Sequence, residues 1–187
     1  FDPLTGLVTG LDRTDANPFA SMAYRTADGG KTWKKLDPMG MGFSEVFYSP
    51  ETGVAFPAIG QLIRSSDLGK TWRQLQAFDK GLARDVGIAG NTIIMAGPNG
   101  FVGYSSDGGT TWSNAPQAGD RHFYAVATVD ARTAFIGGTV MMYSADGGQN
   151  WTDELLPRSF VVFDLVVVGQ RVYAVGTDGA MIYKDLE

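Results

Sequence analysis

The chain has 187 residues, 25 of them glycine, with 19% charged residues and a formal net charge of -5. Sparse and net-negative charge argues against a nucleic-acid partner, which would need a basic surface to displace counterions. The sequence has no cysteine and no run of 18 apolar residues, so disulfide staples, a thiolate metal centre and a transmembrane helix are not expected.

In chain order, the first 36 residues hold three β-type runs, Gly6–Thr9, Met22–Arg25 and Thr32–Lys34. Further runs follow at Gly53–Phe56 and Leu62–Arg64. The fullest unit comes next: Asp85–Gly90, Thr92–Ala96, Phe101–Ser105 and Thr111–Asn114, punctuated by Asn91 and by Gly97-Pro-Asn-Gly100. Thr133–Ile136 and Met141–Tyr143 repeat its middle runs, as do Arg171–Ala174 and Met181–Tyr183. Short runs with Gly, Pro and Asn punctuation predict antiparallel meanders, and no window carries a 3.6-residue apolar period.

One phrase sets the period. Thr26-Ala-Asp-Gly-Gly-Lys-Thr-Trp33 returns as Ser65-Ser-Asp-Leu-Gly-Lys-Thr-Trp72, Ser105-Ser-Asp-Gly-Gly-Thr-Thr-Trp112 and Ser144-Ala-Asp-Gly-Gly-Gln-Asn-Trp151. Its aspartates, Asp28, Asp67, Asp107 and Asp146, are spaced by 39, 40 and 39 residues. Four antiparallel strands per repeat of about 40 residues predict an all-β propeller whose blades bury apolar faces against their neighbours. About five blades are represented in a single domain: a partial blade over 1–43, blades over 44–82, 83–122 and 123–159, and a partial blade over 160–187. They form either a small ring or an arc of a larger propeller, and an open arc would self-associate through its apolar ends. Each Asp is expected to brace its own turn, and each Trp to bury its ring and pair its indole N–H. These eight residues are therefore read as structural.

The Ser/Thr-x-Asp-x-Gly-x-Thr-Trp phrase resembles the Asp-box, or BNR, repeat. Its dense form Tyr104-Ser-Ser-Asp-Gly-Gly-Thr-Thr-Trp112 is similar to the YCF48-like group of photosystem II assembly factors and their bacterial relatives. The resemblance implies a β-propeller with its box turns away from the ligand face, a protein partner and an extracytoplasmic location. Asn150 replaces the usual Thr in the fourth box and makes a formal glycosylation sequon with Thr152.

Asp-box enzymes, sialidases above all, give a second reading as a glycoside hydrolase or carbohydrate-binding propeller. That chemistry needs clustered arginines and catalytic carboxylates. Of four glutamates, only Glu45 starts a first strand and would face a central channel. His122 is the single histidine, so no metal centre is expected, and nothing specifies a cofactor. Outside the boxes, Arg84, Arg121 and Arg158 recur every 37 residues just before first strands, with His122 beside the second. Together with Glu45 they form the expected binding face for an anionic protein or peptide partner, since guanidinium forks suit carboxylates. Met39 and Met41 lie in a glycine-flanked loop suited to an adaptable protein contact.

Overall fold

A computed structural model describes residues 4–14, 17–36, 45–49, 54–58, 63–65, 67, 69–74, 83–115, 119–156 and 160–186. The chain divides into two compact units, Phe1–Ala77 and Phe78–Glu187. Every sheet is antiparallel, and the one helical segment among the described residues is a single 3-10 turn at Thr177–Gly179.

In the first unit, β1 (Gly6–Thr14), β2 (Asn17–Thr26) and β3 (Lys34–Leu36) form a sheet in the order β1-β2-β3. The first two strands run well past the short apolar runs that the sequence marks, because Asp12 and Thr14 continue the pairing across a register shift. Two strand pairs follow: β4 (Glu45–Ser49) with β5 (Val54–Ala58), and β6 (Ile63–Arg64) with β7 (Arg73–Gln74). Trp72 and Leu36 pack against the buried Ala23 of β2.

The second unit holds three consecutive meanders. The first is β8 (Asp85–Ala89), β9 (Thr92–Ala96), β10 (Val102–Ser105) and β11 (Ser113–Asn114). The second is β12 (Phe123–Thr128), β13 (Ala134–Gly138), β14 (Met141–Ser144) and β15 (Thr152–Glu154). The third has three strands, β16 (Val162–Val168), β17 (Arg171–Gly176) and β18 (Met181–Asp185). The strands β8–β11, β13, β14, β17 and β18 coincide with the predicted runs because turn residues and apolar runs are both local signals. Strands β9 and β13 are buried at every position, as befits a sheet covered on both faces. Strand β17 alternates between buried and exposed positions, so the third sheet is covered on one face.

Two apolar clusters fill the spaces between these sheets. Ile94, Ala96 and Val102 meet Phe123, Val126, Ile136 and Trp151 in one. Phe135 and Met141 meet Val162, Leu165, Val172 and Ala174 in the other. Close approach at the inner strands requires glycine. A Cβ on Gly138 would fall on the His122 carbonyl oxygen, and one on Gly176 would fall on that of Val161.

Candidate functional site

The four box turns share one pattern of hydroxyl, carboxylate and backbone hydrogen bonds. In the third, the Ser105 hydroxyl donates to Asp107 Oδ1 at 2.8 Å and accepts from the backbone N–H of Gly109 at 2.8 Å. The Asp107 carboxylate accepts from the N–H of Thr110 and Thr111 and from the Thr111 hydroxyl. The Trp112 indole donates to the Gly109 carbonyl oxygen at 3.1 Å. In the fourth box, Asn150 Nδ2 donates to Asp146 Oδ2 at 2.8 Å, so the amide takes over the role of the Thr hydroxyl.

These bonds stabilise the ionised carboxylate. The hydroxyl and then the N–H of Thr32 hold Asp28 down to about 2, and the N–H and then the hydroxyl of Thr111 hold Asp107 down to about 2. At Asp67 and Asp146 burial pushes upward, but the combined hydrogen bonds of each turn outweigh it, and both stay below the ordinary value. A carboxylate saturated by its own turn offers little to a substrate. The boxes are folding devices.

The four tryptophans are not equivalent, contrary to the expectation of uniform staples. Trp151 is 6% exposed, within the cluster between the first two sheets of its unit. Trp33 keeps its indole bond to the Gly30 carbonyl oxygen yet is 43% exposed. Burial of each ring depends on a neighbouring sheet, which the local phrase does not encode.

The starts of the innermost strands differ from repeat to repeat. Asp85, Ala125 and Asp164 pair with Ala96, Gly137 and Val175, which in turn pair with Val102, Met141 and Met181. The registers thereby make Arg84, Tyr124 and Phe163 equivalent, each one residue earlier. Tyr124 and Phe163 stand at bulges, which turn a side chain out of the ladder. The three touch in a row. The Arg84 guanidinium lies over the Tyr124 ring at 5.7 Å, and that ring meets Phe163 edge-on at 6.3 Å. Arg84 and Phe163 are exposed and Tyr124 is half-buried. Beneath the row, Asp85 Oδ2 accepts the N–H of Val126 at 2.6 Å and ties one sheet to the next.

Among the expected site residues, Arg84 is in this row. Arg121 goes elsewhere: its fork donates to both oxygens of Asp153 on β15, at 2.6 and 2.9 Å. β12 and β15 are the two edge strands of one sheet, about 14 Å apart at ~4.8 Å per strand, so this pairing draws the Arg121 fork toward the edge of the sheet far from Tyr124. The 37-residue spacing of the arginines falls short of the repeat period, so Arg121 is out of phase with Arg84. His122 is half-buried at the head of β12, where its backbone N–H donates to the Thr139 hydroxyl and its carbonyl oxygen accepts from the Thr139 N–H. Glu45 opens β4 opposite Ala58. Arg158, Met39 and Met41 lie outside the described residues. Tyr124 and Phe163 were not among the expected site residues, because their equivalence to Arg84 lies in the strand registers.

A concavity of about 280 Å³ opens between the last two sheets, lined by Met141, Leu156, Val172, Ile182 and Tyr183. Its ionic groups, Lys184 and Glu154, pair with each other at 2.7 Å. Among the described residues no three His, Asp or Glu side chains gather as metal ligands.

The BNR/Asp-box repeat model matches residues 24–35 and 142–153. The chain carries Asp-box repeats on a β-propeller fold. Among solved structures, YCF48 bound to D1 peptide is similar over 98% of this chain and 60% of that one, at 18% identity and a TM-score of 0.68. An ancestral GH74 enzyme is similar over 96% of this chain and 28% of that one, at 17% identity and a TM-score of 0.67. PorZ, a bacterial surface component of the type-IX secretion system of Porphyromonas gingivalis, is similar over 98% of this chain and 28% of that one, at 17% identity and a TM-score of 0.68. The chain thus spans less than two thirds of each of these proteins. No curated protein matches the sequence.

Proposed function

We propose that this chain is a non-enzymatic binding module that holds an extended protein segment on the row Arg84–Tyr124–Phe163. The observation that carries the reading is the row itself: equivalent positions of three successive sheets, in mutual contact, bearing residues that the repeat does not demand. A cation stacked on an aromatic ring, continued by a second ring, suits a carboxylate beside apolar side chains. At about 3.3 Å per residue, the row accommodates three to four residues of extended chain. The YCF48 structure with a D1 peptide supports a peptide as the class of ligand. An extracytoplasmic location goes with this reading on the family resemblance alone, and cell fractionation tests it.

The test is fluorescence anisotropy with the D1 peptide and with peptides selected from a display library, each as free acid and as C-terminal amide. Arg84→Gln is expected to weaken the free-acid peptides about tenfold, ~1.4 kcal/mol, and the amides less. Tyr124→Ala should weaken both. Arg121→Gln, already committed to Asp153, should leave binding near the parent value. Undiminished binding by Arg84→Gln would overturn the assignment of this row. A glycoside panel turned over by the parent chain and silenced by Glu45→Gln would replace it with the hydrolase reading, which the likeness to a GH74 enzyme keeps as the competitor.

A further inference from the structure

The two boxes of the first unit differ from those of the second at three positions. The residue before the Ser or Thr, the sixth residue of the phrase and the residue after the Trp are Arg25, Lys31 and Lys34 in the first box. In the second box they are Arg64, Lys70 and Arg73, each 39 residues after its counterpart. The third and fourth boxes hold Tyr104, Thr110 and Ser113, then Tyr143, Gln149 and Thr152, all uncharged at neutral pH. The turn therefore does not demand the cations, since neutral side chains serve it equally.

Strand registers bring the cations together. Arg25 stands opposite Lys34 across β2 and β3, and Arg64 opposite Arg73 across β6 and β7. In the second unit the same pairings join Tyr104 to Ser113 and Tyr143 to Thr152. Directly opposed side chains start about 5 Å apart, and like charges so placed destabilise a sheet. Lys31, Lys34, Lys70 and Arg73 are exposed, and among the described residues no carboxylate forms an ion pair with any of the four. The box carboxylates of Asp28 and Asp67 are committed to the hydroxyls of their own turns. Trp72 and Leu36 pack on Ala23, and a Cβ on Gly69 would fall on Leu7, so the second box turn sits against the first sheet. The two sets of cations thus belong to neighbouring sheets.

We propose that the first unit binds an acidic polypeptide segment beside its two box turns, with one carboxylate at the Arg25–Lys34 pair and another at the Arg64–Arg73 pair. A carboxylate between two facing cations replaces their repulsion with charge-assisted hydrogen bonds. Stacked sheets lie about 10 Å apart and extended chain advances about 3.3 Å per residue, so acids three residues apart reach both pairs. Lys31 and Lys70 add to the same local field. The net charge of -5 repels an extended polyanion such as a membrane surface or a nucleic acid, and favours a short acidic segment. The proposal uses no residue of the row Arg84–Tyr124–Phe163 and stands without it.

Fluorescence anisotropy of the 187-residue chain tests the proposal, with a labelled peptide carrying Glu at every third position of a Ser background and its Gln counterpart. The Glu peptide should bind, more weakly as salt rises, and the Gln peptide should not. Lys34→Ser combined with Arg73→Thr, the choices of the third and fourth boxes, should weaken the Glu peptide at least about tenfold. The urea midpoint of that variant should be no lower than the parent's, because a like-charge pair leaves each sheet. If the midpoint falls, Lys34→Gln with Arg73→Gln carries the same comparison. Arg84→Gln should leave this binding unchanged, which keeps a failure here distinct from a failure of the row. Equal binding of the Glu and Gln peptides, or of parent and double variant, would overturn the proposal. So would loss of binding in Arg84→Gln, or tighter binding of phosphatidylglycerol vesicles or duplex DNA than of the Glu peptide.

Discussion

At the residue scale, burial separates positions that the repeated phrase makes look alike. Trp151→Ala should cost about 3–5 kcal/mol, the range for a large aromatic lost from a packed core. Trp33→Ala should cost well under half of that, since its ring is largely exposed; urea denaturation of the two variants checks the difference. The box aspartates carry a pH signature. Folded Asp28 and Asp107 titrate at about 2, below the ~3.9 of an unfolded chain. Their contribution is therefore complete above about pH 4 and is lost as pH falls toward 2. Thermal melts across that window should show a steep acid limb, and Asp107→Ala should lower stability at neutral pH while flattening that limb.

At the element scale, the inner strands are held by close contacts that leave no spare room. Gly138→Ala would push a methyl group into the His122 carbonyl and force β12 and β13 apart at the end where Tyr124 stands. A cost of about 1–3 kcal/mol is expected, the usual price of overpacking, together with weakened peptide binding through the displaced row. Asp85→Ala removes the acceptor that joins β8 to the Val126 N–H and should cost about 1–3 kcal/mol. Denaturation midpoints and anisotropy on the same samples distinguish the two: Gly138→Ala should lose affinity beyond its loss of stability.

For the whole molecule, the order of protection follows from which sheets are covered on both sides. Hydrogen exchange should be slowest in β9 and β13, buried at every position, and fastest in β18, which is exposed at four of its five. Far-UV circular dichroism should show a β spectrum without an α-helical component. If β18 exchanges as slowly as β13, its face is already covered in solution.

The all-β class, the strand runs from Asp85 onward and the box turns were legible in the sequence because their causes are local. A Ser or Thr hydroxyl, an Asp carboxylate and a glycine with positive φ complete one turn within eight residues, and these three recur in every copy of the phrase. The candidate site was legible only in part. Arg84 was singled out, but its partners were sought at the next arginines, while the strand registers bring Tyr124 and Phe163 to it. A bulge at the head of β12 or β16 is fixed by pairing with the second strand of its sheet, and an arginine's partner by which strand lies within reach. Arg121 was lost to the site because Asp153, 32 residues later, lies across the same sheet. The like phrases around Trp33 and Trp151 could not foretell their burial, since that depends on whether another sheet stands alongside. Sequence alone determined the repeating unit and its turns; which faces are covered, which are bare and which side chains meet was decided by the stacking of sheets, because apolar burial and cross-strand pairing join residues that the chain keeps about 40 positions apart.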